Sequence, residues 1–303
     1  MKVLVTGSSG LIGSALVPSL SADGHQVTRL VRPKTRPGAE QVVWDPDAAR
    51  LDPETIEGFD AVVHLAGENV ASRRWTVEQK RRLFESRVKS TQLLAGTLAR
   101  LARPPRTLIC ASAVGYYGDR GDEYLTEDSS SGSDFPSSMC REWEAAADLA
   151  ARSNIRVIKV RIGAVLSAAG GALALMLPPF KAGLGGALGS GRQYLSWIAV
   201  DDAAGAIRHG LSNESLSGPV NTVAPQLVTN REFTKTLGRV LGRPTFLAVP
   251  SFVLRVAVGE MAEALLLASQ RVLPARLQSS GYTFRYPELE GALRHLLGKT
   301  NRQ

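Results

Sequence analysis

Cysteine and histidine are scarce in this chain, and each scarcity removes a class of function. Its 303 residues hold two cysteines, Cys110 and Cys140, thirty positions apart and without a C-x-x-C partner. That excludes a disulfide framework and fits buried thiols in a reducing compartment. The four histidines, His25, His64, His209 and His295, have no ligand spacing, so no metal site is expected; His64 lies inside a strand-like run and reads as a satisfied core residue. There is no H-E-x-x-H, no G-x-S-x-G and no Walker loop, which removes the common metalloprotease, hydrolase and P-loop mechanisms. Long apolar runs are missing too: the most apolar late stretch, Phe252–Ala268, is interrupted by Arg255, Glu260 and Glu263. It reads as a packed or amphipathic helix and not as a membrane span. A strand-like run begins directly after Met1-Lys2, so no signal peptide is expected and the reading is cytoplasmic.

What is present is an ordinary soluble composition, 44% hydrophobic and 21% charged, with a formal charge of +8. Much of the positive excess sits in Arg73, Arg74, Lys80, Arg81, Arg82, Arg87 and Lys89. Glu78 and Glu85 break that run, and Val77, Leu83, Phe84 and Val88 recur at helical spacing. A solvated helix face explains this better than a nucleic-acid surface. The expected partner is a small molecule, with no nucleic acid and no membrane, and the protein is expected to be a monomer or homodimer.

Strand-like and helix-like segments alternate through the first half: Val3–Val5, Leu11–Leu20, Val27–Val31, Gln41–Trp44, Ala61–Leu65, Val77–Leu101, Thr107–Ala111, Trp143–Ala151 and Arg156–Ile162. Strands apolar on both faces between helices imply an α/β fold, a Rossmann doubly wound parallel sheet. Asp119–Ser138, rich in Ser, Gly and Asp, reads as a surface loop. The expected domains are residues 1–225, with 165–195 contributing to a cap, and a smaller, mainly helical 226–303.

Thr6-Gly7-Ser8-Ser9-Gly10-Leu11-Ile12-Gly13 is a G-x-x-G-x-x-G turn between the first strand and the first helix. The first glycine permits a tight turn, the second lets backbone N–H groups approach a pyrophosphate, and the third allows close helix–strand packing. The helix N-terminus offers free donors to phosphate. Gly7, Ser9, Gly10, Leu11, Ile12 and Gly13 are therefore expected to hold a dinucleotide. The second strand ends in Leu30-Val31-Arg32, with Lys34 and Arg36 behind and no carboxylate at the ribose position. A guanidinium there can hold a 2′-phosphate. NADPH (NADP) is thus expected over NADH, although Arg32 could also be an ordinary exposed arginine. Trp44-Asp45 closes the third strand, where an adenine could rest, though Trp44 equally suits a core position. Leu65-Ala66-Gly67 closes the fourth with small residues that let ribose and phosphates approach.

Thr6–Gly13, Leu65-Ala66-Gly67-Glu68, Arg74-Trp75-Thr76, Ser86-Arg87, Ser112–Gly118, Trp143-Glu144, Gly185-Gly186, Gly189-Ser190-Gly191, Ser196-Trp197-Ile198 and Pro274 through Pro287 together resemble the short-chain dehydrogenase/reductase superfamily. The likeness is to the extended type, near the nucleotide-sugar epimerases and dehydratases. It is narrower still to an atypical branch called epimerase family proteins, with a C-terminal domain of unknown function. The resemblance implies an NAD(P)-dependent oxidoreductase or epimerase-like enzyme, with Glu68, Arg87, Ala111, Cys140, Arg161, Ile162 and Gly163 along the cofactor path. Typical members use Ser, Tyr and a Lys four residues later, with an Asn on the long helix. Here Ser112 keeps its place, but Cys140 stands at the Lys site, Pro136 at the Tyr site and Arg87 at the Asn site. Tyr116 or Tyr117 could move the proton, or both could simply pack. Arg87 could clamp an anionic substrate group, or pair with Glu68 or Glu144. Cys140 reads as an inert thiol before it reads as a nucleophile. The lost Tyr/Lys pair also admits another class: a catalytically reduced NADPH-binding sensor or scaffold.

Overall fold

The computed structural model describes residues 1–33, 38 and 40–299, so Lys34 and Arg36 lie outside the described residues. The chain divides into two compact units. The first comprises Met1–Ser112, Met139–Arg161 and Ala204–Val220; the second comprises Ala113–Ser138, Ile162–Ala203 and Asn221–Gln303.

The first unit is organised by a seven-stranded sheet. Its early strands are β1 (Lys2–Thr6), β2 (Gln26–Val31), β3 (Gln41–Val43), β4 (Ala61–His64) and β5 (Thr107–Ala113). The strands Arg156–Ile162 and Gly218–Thr222 complete it, in the order Gly218–Thr222, Arg156–Ile162, β5, β4, β1, β2, β3. The pairings β3–β2, β2–β1, β1–β4 and β4–β5 are all parallel. The central strands are buried on both faces (Val3, Leu4, Val5, Val62, Val63 and Ile109 are fully covered), which is why they read as continuous apolar runs. The direction of winding reverses between β1 and β4, and in open α/β sheets ligands bind outside the carboxyl ends of strands at such a point.

Three helices frame this sheet: α1 (Leu11–Ala22), α2 (Val77–Leu98) and α3 (Phe135–Ala147). Helix α2 is capped by Thr76, whose hydroxyl accepts from the Gln79 N–H at 3.1 Å. Its basic run is laced by exposed pairs, Arg81 with Glu78 and Glu85, Arg82 with Glu78, and Lys89 with Glu85, as expected for a solvated face. Helix α3 starts eight residues before the expected Trp143, inside the stretch that reads as loop. Asp134 accepts from the Ser137 N–H at 2.9 Å and Pro136 occupies the first turn, so cap and proline sit within a Ser/Gly/Asp-rich composition that hides them.

The second unit has its own core. Leu173, Leu177 and Phe180 of α4 (Gly171–Lys181), Phe233 and Leu237 of α6 (Asn230–Leu241), and Leu289 and Leu293 of α9 (Leu289–Leu296) pack with Trp197. Helix α6 opens on a capping box between Thr229 and Glu232. Helices α7 (Ser251–Val258) and α8 (Ala275–Ser279) also belong to this unit, and α5 (Val200–Ser212) runs from it into the first. Among the described residues no helix is long and apolar enough to cross a membrane.

Candidate functional site

The glycine turn sits at the switch point and its geometry is specific. Gly7 has φ +65°, and a Cβ there would lie 2.6 Å from the Leu65 carbonyl carbon. A Cβ on Gly13 would lie 2.2 Å from the Gly7 carbonyl oxygen. Neither approach is possible for a larger residue. The Gly10 N–H donates to the Gly7 carbonyl at 3.0 Å, closing the turn. Helix α1 then starts without a side-chain cap and without an acidic residue in its first turn. Its first N–H groups keep their donors and partial positive charge for an anion.

One hydroxyl ties this turn to the next strand. Thr6 Oγ1 accepts from the Leu65 and Ala66 N–H groups, each at 3.1 Å, and lies 2.7 Å from His64 Nδ1. Two accepted N–H bonds leave the Thr6 proton for Nδ1, so the ring carries its own proton on Nε2, which donates to Thr91 Oγ1 at 3.0 Å. Trp143 Nε1 donates to the same Thr91 oxygen at 2.9 Å. His64 is therefore satisfied within the core, and burial pushes its pKa down to about 4. Trp44 is 3% exposed and meets His64 edge-on at 5.9 Å, so its ring is part of the core. Asp45 accepts from the Asp47 and Ala48 N–H groups and closes a local turn. Arg32 is exposed just beyond β2.

Glu68 and Arg87 meet, but not as an ion pair of side chains. Arg87 Nη2 donates to the Glu68 carbonyl oxygen at 2.7 Å and Nη1 to the Leu83 carbonyl at 3.2 Å. The Glu68 carboxylate accepts instead from Gln79 Nε2 at 2.8 Å. The guanidinium stacks toward Trp143, 5.2 Å from the ring centroid, and lies beside Gly67. Burial pulls its pKa below the ordinary guanidinium range, while Cys140 and Glu68 act the other way. Cys140 is buried, and burial pushes the Cys110 thiol up to about 12.

Ser112 ends up in a network that spacing alone does not announce. Its hydroxyl donates to Glu144 Oε1 at 2.7 Å, and Arg161 grips the same carboxylate through Nε at 2.8 Å and Nη2 at 2.9 Å. Ser112, Glu144 and Arg161 are all nearly inaccessible. Glu144 thus belongs to Arg161 and not to Arg87. In the second unit Tyr117 is fully buried and its hydroxyl donates to Asn221 Oδ1 at 2.6 Å. Tyr116 is half-buried and meets Tyr117 edge-on at 5.4 Å. A Cβ on Gly163 would lie 2.7 Å from the Ser196 carbonyl oxygen. Ala111 is buried within β5 and Ile162 at the end of its strand. The tyrosine–asparagine and serine–glutamate–arginine contacts had no local sequence signal; the buried acid and base at strand and helix positions were the only hint.

Comparison with known proteins bears on this architecture. Residues 3–222 match the model of the NAD dependent epimerase/dehydratase family, and residues 249–296 match a domain of unknown function, DUF1731. The chain belongs to the NAD dependent epimerase/dehydratase family. It is 44% identical over 291 residues to an epimerase family protein of Mycobacterium bovis, Mb2239, covering 96% of both chains. It is 41% identical to the human epimerase family protein SDR39U1, covering 98% of this chain and all of the other. The crystal structure of human SDR39U1 (isoform 2) with NADPH superposes with a TM-score of 0.91 at 39% identity, covering 99% of this chain and 100% of that one. A nucleoside-diphosphate sugar epimerase from Corynebacterium glutamicum superposes with a TM-score of 0.82 at 39% identity, covering 98% of this chain but 58% of its own.

Proposed function

We propose that this family member binds NADPH on its glycine turn and acts as an oxidoreductase or epimerase-like enzyme on a small polar substrate. The observation that carries the reading is the uncapped N-terminus of α1 behind a turn that accepts only glycine at Gly7 and Gly13. The human relative solved with NADPH supports the same cofactor here. Gly7, Ser9, Gly10, Leu11, Ile12 and Gly13 would hold the pyrophosphate, Leu65, Ala66 and Gly67 the adenosine side, and Arg32 the 2′-phosphate. The bound cofactor supplies a hydride.

The chain's own residues supply positioning and a proton. The Ser112 hydroxyl donates a hydrogen bond to Glu144 Oε1, which leaves its oxygen an acceptor that would orient a substrate hydroxyl. Arg161 holds the same carboxylate through Nε and Nη2 and so fixes the acceptor that orients the Ser112 hydroxyl. Tyr116 or Tyr117 would carry the proton; the Tyr117 hydroxyl donates to Asn221 Oδ1 at 2.6 Å. Arg87, whose hydrogen bonds go to carbonyl and hydroxyl oxygens, would attract an anionic substrate group. Single-turnover oxidation of bound NADPH across a panel of carbonyl compounds and nucleotide sugars tests this. Hydride transfer to one class is the expected result, weakened at least tenfold in Tyr116→Phe or in Tyr117→Phe. Bound NADPH that no compound oxidises would favour the sensor reading, which the committed Tyr117 hydroxyl also suits.

A further inference from the structure

We propose that the C-terminal segment carries a second anion site, built for a small phosphomonoester. Residues 285–299 line an open cavity of about 400 Å³, within the size range of small-molecule sites. Three cations face it, Arg285, Arg294 and Lys299, against one lining carboxylate, Glu288. Arg294 is held by Glu290, which it grips through Nε and Nη2. The Arg285 guanidinium lies 5.8 Å from the centre of the Tyr286 ring and, like Lys299, has no carboxylate partner among the described residues. None of the residues named for the dinucleotide contributes to this cavity.

The cavity wall is preorganised. Asp202 is 1% exposed, and its carboxylate accepts from the Arg285 N–H at 2.7 Å, the Tyr286 N–H at 2.8 Å and the Tyr282 hydroxyl at 3.0 Å. Gln226 Oε1 accepts from the Leu289 N–H at 2.6 Å. These anchors use the backbone of the segment and leave the Arg285 side chain for a ligand. His295 stacks on Tyr286 at 4.3 Å and lies 3.3 Å from Asp201, giving the cavity an aromatic wall. Gly291 also lines it, inside α9, where glycine costs about 1 kcal/mol relative to alanine. Nothing lies within 4 Å of where its Cβ would be. Packing therefore does not require that glycine, and a large side chain there would enter the space a ligand would take. A phosphomonoester, with about two negative charges near neutral pH, would pair with Arg285 and Lys299, the two lining cations that Glu290 does not hold.

The test is a ³¹P NMR titration of glycerol 3-phosphate onto the full chain at low ionic strength, with and without saturating NADPH. Saturable binding is expected, unaffected by NADPH. It should weaken at least tenfold in Arg285→Ala/Lys299→Ala and vanish in Gly291→Leu, a variant whose melting temperature should stay equal or rise. No saturable binding by the native chain, or equal binding by the variants, would overturn the site. So would displacement by NADPH, which would place the ester on the cofactor turn instead; the dinucleotide reading stands or falls separately.

Discussion

His64 shows how a single residue can be read from its setting before its partners are known. Its place in an apolar strand marks it as core, but Thr6 and Thr91, which satisfy both ring nitrogens, stand 58 and 27 residues away and no local pattern points to them. The same separation hides the Ser112–Glu144 and Tyr117–Asn221 bonds, 32 and 104 residues apart. The consequence for His64 is a pH dependence. Its pKa falls from 6.5 in the unfolded chain to about 4 in the native one. Between those values the unfolded state binds the extra proton, so the neutral ring's contribution is intact above pH 6.5 and is lost on acidification towards pH 4. The gap corresponds to roughly 3 kcal/mol. Urea unfolding at pH 7 and pH 4.5 should show the native chain losing more stability than His64→Asn, which has no proton to gain. Parallel losses in both would contradict the assignment.

At the scale of elements, β1, the glycine turn and α1 were legible because three local signals agree: an apolar strand, fixed glycine spacing and helical periodicity. The turn's tolerance can be stated in ångströms. Gly13→Ala would drive a Cβ to 2.2 Å from the Gly7 carbonyl oxygen. It should cost about 1–3 kcal/mol in stability and lower NADPH affinity at least tenfold, read by thermal unfolding and calorimetry. The start of α3 was not legible, because its Asp134 cap and Pro136 lie in a stretch whose composition says loop. The pair that joins α3 to the Arg156–Ile162 strand is a stronger test of the packing. Arg161→Met would leave Glu144 buried without its cation, and removing one partner of such a pair costs about 3–5 kcal/mol. Adding Glu144→Leu should recover much of that loss, measured by the urea midpoint. A double variant as unstable as the single one would mean that the pair does more than balance charge.

For the whole molecule, the family match over residues 3–222 and the human structure with NADPH agree with the sheet order and the turn. The fold and cofactor class were open to sequence reasoning because they rest on local strand–turn–helix chemistry. The reaction was less open, since no Tyr-x-x-x-Lys pair stands in the sequence to announce it and the network around Ser112 forms only on folding. Binding should stabilise the native chain by about 2.7 kcal/mol when NADPH is at 100 times its dissociation constant, visible as a rise in melting temperature. The most direct measurement is calorimetric affinity for NADPH and NADH, on the native chain and on Arg32→Ala. The account predicts at least tenfold tighter binding of NADPH, with that preference collapsing in the variant while NADH binding is unchanged. Tighter binding of NADH, unaltered by Arg32→Ala, would contradict it.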